Sequence, residues 1–262
     1  MAQEEPPIIR VRDLVYQAEE ASTAHGDGFQ VVLDHVSFGV EHGEIFGIMG
    51  MSGAGKTSIL RLLIGLVKPT SGAIEVLDHE LVGMSEHQLN EVRVHMSICF
   101  QYAALLDSMT VAENVAFPLG RHGLTREEIQ RRVTEHLEIV GMAGTEDKMP
   151  AELSGGMKKR VGIARALITR PDVMLYDEPS AGLDPVMAAV IDSLIVHLRS
   201  EFNMTSVVVT HDVTELFAIA DRIMMIHDGK VVACDSPAAL REGDNPYVQQ
   251  FIQGQAQGPI AV

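Results

Sequence analysis

The chain has 262 residues, 46% of them apolar, and a net charge of −16 from 20 basic and 36 acidic side chains. That length fits one large domain, or one domain with an inserted lobe, and the apolar content is enough to offset chain entropy, which excludes disorder. So acidic a balance also argues against a protein whose main task is to coat nucleic-acid phosphates. The most apolar stretch, Ile59–Val67, is interrupted by Arg61 and falls far short of the ~18 residues a membrane span requires. The opening Met-Ala-Gln-Glu-Glu-Pro-Pro lacks the basic end and apolar run of a signal peptide. Two distant cysteines, Cys99 and Cys234, read as buried free thiols. These features predict a reducing, cytosolic compartment.

In chain order, Gln17–Gly28 is small and polar and is predicted as a surface loop between two strands. Ile45–Met49 reads as a buried strand running into a glycine loop, followed by a helix over Lys56–Leu66 that stops before Pro69. Ser97–Phe100 is a second strand, ending at Gln101. From about Gln101 to Glu152 the pattern is mostly helical, a lobe inserted between core strands. Within it Thr125-x-x-Glu128 is a capping box, and Ile129, Val133, Leu137 and Val140 share one helix face closed by Gly141. Ser154 caps a helix that runs to the Arg170-Pro171 break. Val173–Tyr176 is a strand ending at Asp177-Glu178, and Ser206–Thr210 one ending at His211. Asp212-x-x-Glu215 opens a helix in the manner of Thr125-x-x-Glu128, and Asp228-Gly229 is a hairpin turn. The Gln/Gly-rich tail after Glu242 reads as an extension outside the core.

Four short, continuously apolar strands that each deliver a polar group are the pattern of a parallel sheet covered on both faces, with one site at its carboxyl edge. The residues suit phosphate chemistry. Gly50-Met-Ser-Gly-Ala-Gly-Lys-Thr57 fits the P-loop pattern: glycines let backbone N–H groups turn toward a phosphate, Lys56 supplies a point charge, and Thr57 offers a hydroxyl to Mg²⁺. Asp177 and Glu178, carboxylates at the end of a buried strand, suit a cation and an attacking water respectively. Leu153-Ser-Gly-Gly-Met157 offers free N–H groups and a hydroxyl at a helix start, a second anion cradle. One chain with one P-loop has no use for two cradles, whereas two copies facing each other do.

Together the P-loop, Gln101, LSGGM, Asp177-Glu178, Ser180-Ala-Gly-Leu-Asp184 and His211 resemble an ABC-type ATPase subunit, in order and spacing, over nearly the whole chain. The resemblance implies an α/β fold: a P-loop core of mostly parallel sheet, an antiparallel β subdomain and a helical lobe over about 102–158, within an ATPase domain at 8–242 followed by an extension at 243–262. It implies ATP and Mg²⁺ as ligands in a head-to-tail homodimer. Gly50, Met51, Ser52, Gly53, Ala54, Gly55, Lys56, Thr57 and Ser58 of one chain would face Ser154, Gly155 and Gly156 of the other across each nucleotide. Thr57, Gln101 and Asp177 fall to Mg²⁺, Glu178 to catalysis, His211 to the γ-phosphate and Asp184 to communication across the dimer. Tyr16 and Phe29 are both candidates for the aromatic that stacks on adenine.

A narrower resemblance covers Cys99–Leu119, CFQYAALLDSMTVAENVAFPL, and Met157-Lys-Lys-Arg160. It is similar to the ATPases of MCE-associated, Mla-type phospholipid transporters, with Ala103 and Leu106 where that group carries Gly and Phe. This implies a peripheral subunit at the cytoplasmic face of a bacterial inner membrane, with membrane permease subunits, a small accessory subunit and an MCE lipid-binding protein as partners and no nucleic acid. A solute-importer ATPase shares every catalytic motif, and a non-transport ABC ATPase is a more distant reading. The apolar run after Gln101 reads either as core of the lobe or as a groove for a coupling helix of the membrane subunit. Lys158, Lys159 and Arg160 are expected on a solvated helix face, and the tail, through Phe251 and Ile252, on a partner or the other protomer.

Overall fold

The computed structural model describes residues 6–19, 28–121 and 123–260. In order these form β1 (Ile9–Glu19), β2 (Phe29–Val40), β3 (Ile45–Met49), α1 (Lys56–Leu63), β4 (Ser71–Val76), β5 (His79–Glu80), α2 (Glu86–Arg93) and β6 (Met96–Cys99). Helices α3 (Val111–Ala116), α4 (Arg126–Ile139) and α5 (Gly155–Leu167) come next, then β7 (Val173–Asp177), α6 (Pro185–Phe202), β8 (Thr205–Val209) and α7 (Val213–Ile219). The chain closes with β9 (Arg222–His227), β10 (Lys230–Asp235), α8 (Pro237–Glu242) and α9 (Pro246–Gln253).

One sheet has the strand order β10-β9-β3-β8-β7-β6, parallel except for the edge strand β10; the other, β2-β1-β4-β5, is antiparallel. Side chains alternate across a strand, so each apolar run feeds two cores. Ile45 and Met49 of β3, Met174 and Tyr176 of β7 and Val208 of β8 join one core with α3–α7. Phe46 and Ile48, Val173 and Leu175, and Val207 and Val209 join the other, against α1, α2 and the antiparallel sheet. Every residue of β3, β7 and β8 is buried. Reciprocal capping boxes start α2 at Ser85, α3 at Thr110 and α4 at Thr125, each satisfying two orphan donors and contributing about 1 kcal/mol.

The structure corrects several boundaries. Helix α1 ends at Leu63, earlier than Leu66, because Gly65 takes a left-handed φ of 68° and Leu66 N–H turns back onto Arg61 O at 2.8 Å, a glycine-terminated stop that removes any need for Pro69. Asp212 does cap α7 through Thr214 and Glu215 N–H, but Glu215 is buried and does not complete the box. The expected loop at 17–28 lies mostly outside the described residues, and Gln17–Glu19 are strand, paired with Phe29–Val31. Cys234 is exposed, not buried, on edge strand β10; Cys99 is half-buried, and burial pushes its thiol up to about 12.

The tail also departs from its expected place outside the core. Phe251 and Ile252 pack on this chain's own core together with buried Val248 and Ile260. The reason is Gln250, 5% exposed, whose Oε1 accepts from Ile260 N–H at 2.7 Å while Nε2 donates to Ile260 O at 3.1 Å and Gln255 O at 3.2 Å. One amide closes the last turn and makes burial of Ile260 affordable. Gln250→Ala, which orphans these groups, should cost about 1–3 kcal/mol; a thermal melt and faster protease clipping after residue 254 check this.

Candidate nucleotide site

The parallel strands set the floor of the site. Asp177 at the end of β7 lies in register with Val209, and Ile48 of β3 with the same residue. The segments that follow β3, β6, β7 and β8 therefore leave the sheet along one edge. There they wall a cleft of about 480 Å³, lined by Ser52, Gly53, Gly55–Ser58, Gln101, Glu178 and His211.

The P-loop's shape depends on two glycines. A Cβ at Gly50, φ 154°, would sit 2.3 Å from Ile226 O; one at Gly55, φ 98°, would sit 2.7 Å from Leu33 Cδ2 and 3.0 Å from Val32 O. No side chain caps α1, whose N-cap is Gly55 itself, so its first N–H groups face the cleft without a protein acceptor and carry the positive end of the helix dipole. Lys56, buried in the same turn, donates from Nζ to Gly50 O at 2.8 Å and Met51 O at 3.0 Å. Burial lowers its pKa, against the opposing pull of Glu178 and Asp177.

Thr57 Oγ1 donates to Asp177 Oδ1 at 3.0 Å. Burial raises the Asp177 pKa, and this hydrogen bond opposes the rise. A hydroxyl and a carboxylate side by side form the hard, oxygen-only donor set that suits Mg²⁺, which takes few protein ligands and completes its shell from phosphates and water. Among the described residues no group of three His, Cys, Asp or Glu side chains could hold a metal by itself.

Glu178 is the most constrained residue here. Its φ is 50°, left-handed for a non-glycine. Its N–H donates to Val209 O at 2.8 Å. The carboxylate, 12% exposed, accepts from His211 Nδ1 at 2.7 Å and Thr210 Oγ1 at 3.2 Å. With Nδ1 as the donor, His211 Nε2 is left as the free ring nitrogen.

The ABC transporter family model matches residues 33–181. The chain belongs to the ABC transporter family. It is 42% identical over 234 residues to the intermembrane phospholipid transport system ATP-binding protein MlaF of Escherichia coli, covering 89% of this chain and 87% of that one. It is 39% identical to the methionine import ATP-binding protein MetN of Geobacillus kaustophilus, covering 91% of this chain and 68% of that one. Its fold matches a dimeric ATP-binding cassette solved in a post-hydrolysis state with ADP and Pi, at TM-score 0.79 and 29% identity over 87% of this chain and 98% of that one. As an ABC ATPase subunit the protein is an ATP-hydrolysing enzyme.

Against the expected ABC site, one chain brings together the P-loop, Thr57, Asp177, Gln101, Glu178 and His211, but Ser154, Gly155, Gly156 and Asp184 are not among the walls of the cleft. Ser154 caps α5 through Met157 N–H, and Asp184 caps α6 through Val186 and Met187 N–H. Gly156 has a local reason as well: its Cβ would meet Met187 Cε at 2.7 Å, whereas a Cβ at Gly155 would make an ordinary contact with Leu183 Cδ2 at 3.7 Å. Tyr16 is half-buried against the second core and Phe29 is 64% exposed; Val32, rather than either aromatic, reaches the cleft.

Sequence reasoning missed the site roles of Thr210 and Ser180 and misread Glu215, Lys159 and Arg160. Thr210 was counted only as strand, and Ser180 only as motif. Glu215, 4% exposed, accepts from Ser180 Oγ at 2.8 Å and faces Asp192 of α6. Lys159 and Arg160 are not on a solvated face: Lys159 Nζ donates to Glu178 O at 2.9 Å, and Arg160 Nη1 to Gly141 O at 3.1 Å. Helical spacing held the signal, since Gly156, Lys159 and Ile163 share one face and both flanking members are buried.

Burial pushes the Glu215 carboxyl up to about 7 from an ordinary 4.5. The folded chain keeps this proton where the unfolded chain has lost it, so stability falls as pH rises through that window. Glu215→Gln keeps the acceptor for Ser180 without the charge. It should flatten the decline in melting temperature between about pH 4.5 and pH 7; an unchanged decline in thermal scans would contradict this assignment.

Proposed function

We propose that this ABC ATPase powers a transporter that moves phospholipid between bacterial membranes, acting as a head-to-tail homodimer with two ATP molecules between its protomers. The observation that carries this reading is the split of the motifs: the P-loop, Gln101, Glu178 and His211 share one cleft, while the Ser154–Gly156 cradle stands outside it. A second copy supplies the missing half of each site. The ATPase domain spans 8–242, with its helical lobe over about 102–158, and the 243–262 segment accompanies it.

In this mechanism the N–H groups of Gly50–Ser58 and the Lys56 ammonium take the phosphates, and the partner's cradle closes over the γ-phosphate. Thr57, Asp177 and Gln101 would hold Mg²⁺, which neutralises charge on the phosphates when bound. Glu178, with its carboxylate held by Thr210 and His211, orients the attacking water and takes its proton. His211 donates a ring N–H to the γ-phosphate once the nucleotide is bound, and Asp184 relays closure between protomers.

Phospholipid is favoured over a small solute because Cys99–Leu119 and Met157–Arg160 are similar to the same segments of Mla-type phospholipid transporter ATPases, and because the phospholipid-transport relative is 42% identical over 89% of this chain. Permease subunits provide the path, and this subunit is peripheral at the cytoplasmic face; among the described residues no helix is long and apolar enough to cross a membrane. Tyr102, 85% exposed, with Leu106 and Phe117, offers an apolar surface beside Gln101 for a permease coupling helix. A small accessory subunit and an MCE lipid-binding protein complete the assembly.

Glu178→Gln should lower turnover about 10²–10⁴-fold and hold an ATP-bound dimer on size-exclusion chromatography. A monomer in saturating ATP would sink the two-chain site. Purification of the assembly in detergent tests the cargo: a permease with phospholipid supports it, and a solute-binding importer complex overturns it.

A further inference from the structure

A left-handed residue that is not glycine is strained and persists only where its surroundings over-determine it. Glu178 meets that condition from three directions. Its N–H is bound to Val209 O on β8, and its carboxylate to Thr210 and His211 beyond β8. Its carbonyl accepts from Ala181 N–H at 3.2 Å within its own turn and from Lys159 Nζ at 2.9 Å. Lys159 is the one member of this set that comes from α5. It sits on the turn directly after Ser154–Gly156, half-buried, and its charge lies near the carboxylates of Glu215, Glu178 and Asp177.

We propose that Lys159 is a positioning residue for ATP hydrolysis: it fixes the left-handed backbone of Glu178 through the carbonyl and ties that residue to the helix that begins with the Ser154–Gly156 cradle. The inference rests on the proposed role of Glu178. A charge-assisted hydrogen bond of this kind is stronger than one between neutral groups and opposes relaxation of the left-handed conformation. Without it the Glu178 carbonyl keeps only the longer bond from Ala181 N–H, and the aim of the carboxylate loosens. The tie also has a consequence for the dimer. Each α5 starts at one nucleotide, through the cradle that faces the partner's P-loop, and reaches through Lys159 to the Glu178 that serves the other nucleotide. Closure at one site is therefore transmitted to the acid at the second by a rigid helix of one chain.

The experiment is steady-state ATPase kinetics on the full chain for Lys159→Met, Lys159→Arg, Lys159→Gln and Lys158→Met, each also in a Glu178→Gln background. Misplacement of a reacting group by about 1 Å costs on the order of 10²-fold, so Lys159→Met should lower kcat about 10- to 100-fold and leave KM for ATP within about twofold. Lys159→Arg should recover most of kcat, and Lys158→Met should match the unmodified protein. In the Glu178→Gln background Lys159→Met should cost nothing further, since it acts through a carboxylate already removed. Wild-type kcat in Lys159→Met, or losses that multiply in the double variant, overturns the proposal. Should Lys159→Met fail to fold by its thermal melt, Lys159→Gln decides in its place: its amide still reaches for the carbonyl but lacks the charge, so it must show an intermediate kcat. Full turnover in Glu178→Gln itself would instead overturn the role assigned to Glu178. A Glu178→Gln defect beside a normal Lys159→Met leaves that role standing and removes only the present inference.

Discussion

Burial of both faces of the parallel sheet is the constraint from which the site follows. With every residue of β3, β7 and β8 out of water, charged or catalytic groups have no place along the strands and must collect where the strands end. Parallel strands all end on one side, so Gly50, Asp177 and Thr210 arrive together although far apart in the chain. The same burial makes the acids there expensive. Asp177 and Glu215 both have raised pKa values because burial disfavours their charge, and each meets a hydroxyl, Thr57 or Ser180, that recovers part of the loss.

Glu178 concentrates the local cost. A conformation that an L-residue avoids is held by bonds from β8, the segment after it and α5, so the acid's aim is a property of three elements at once. That arrangement ties the nucleotide cleft to the helices around it. Ser180 leads from Glu178 to Glu215 on α7, Glu215 faces Asp192 on α6, and Lys159 leads back to α5. These contacts join the Glu178 turn directly to α5 and, through Ser180 and Glu215, to α7 and α6.

The tail shows packing overriding composition. A Gln/Gly-rich stretch gives no periodic signal, yet one buried amide folds it onto the core. Satisfying a backbone N–H and two carbonyls with Gln250 lets Ile260 leave water, and a single polar side chain decides the fate of the last turn.

Sequence alone determined the strands and their polar ends, because burial on both faces forces continuous apolar runs and such runs are visible in one dimension. The P-loop was legible for a related reason: Gly50 and Gly55 hold backbone angles and close approaches that leave no room for a Cβ, so the chemistry is written in residue types. The capping box at Thr125 and the Asp228-Gly229 turn were equally local, and α4 and the β9–β10 hairpin formed where they lay. Tertiary structure alone decided the partners of Glu215, Lys159 and Gln250. Each is a long polar side chain whose sequence neighbours permit exposure as well as burial. Whether it meets water, a hydroxyl or a carbonyl depends on which distant element packs against it, and that choice belongs to the whole core.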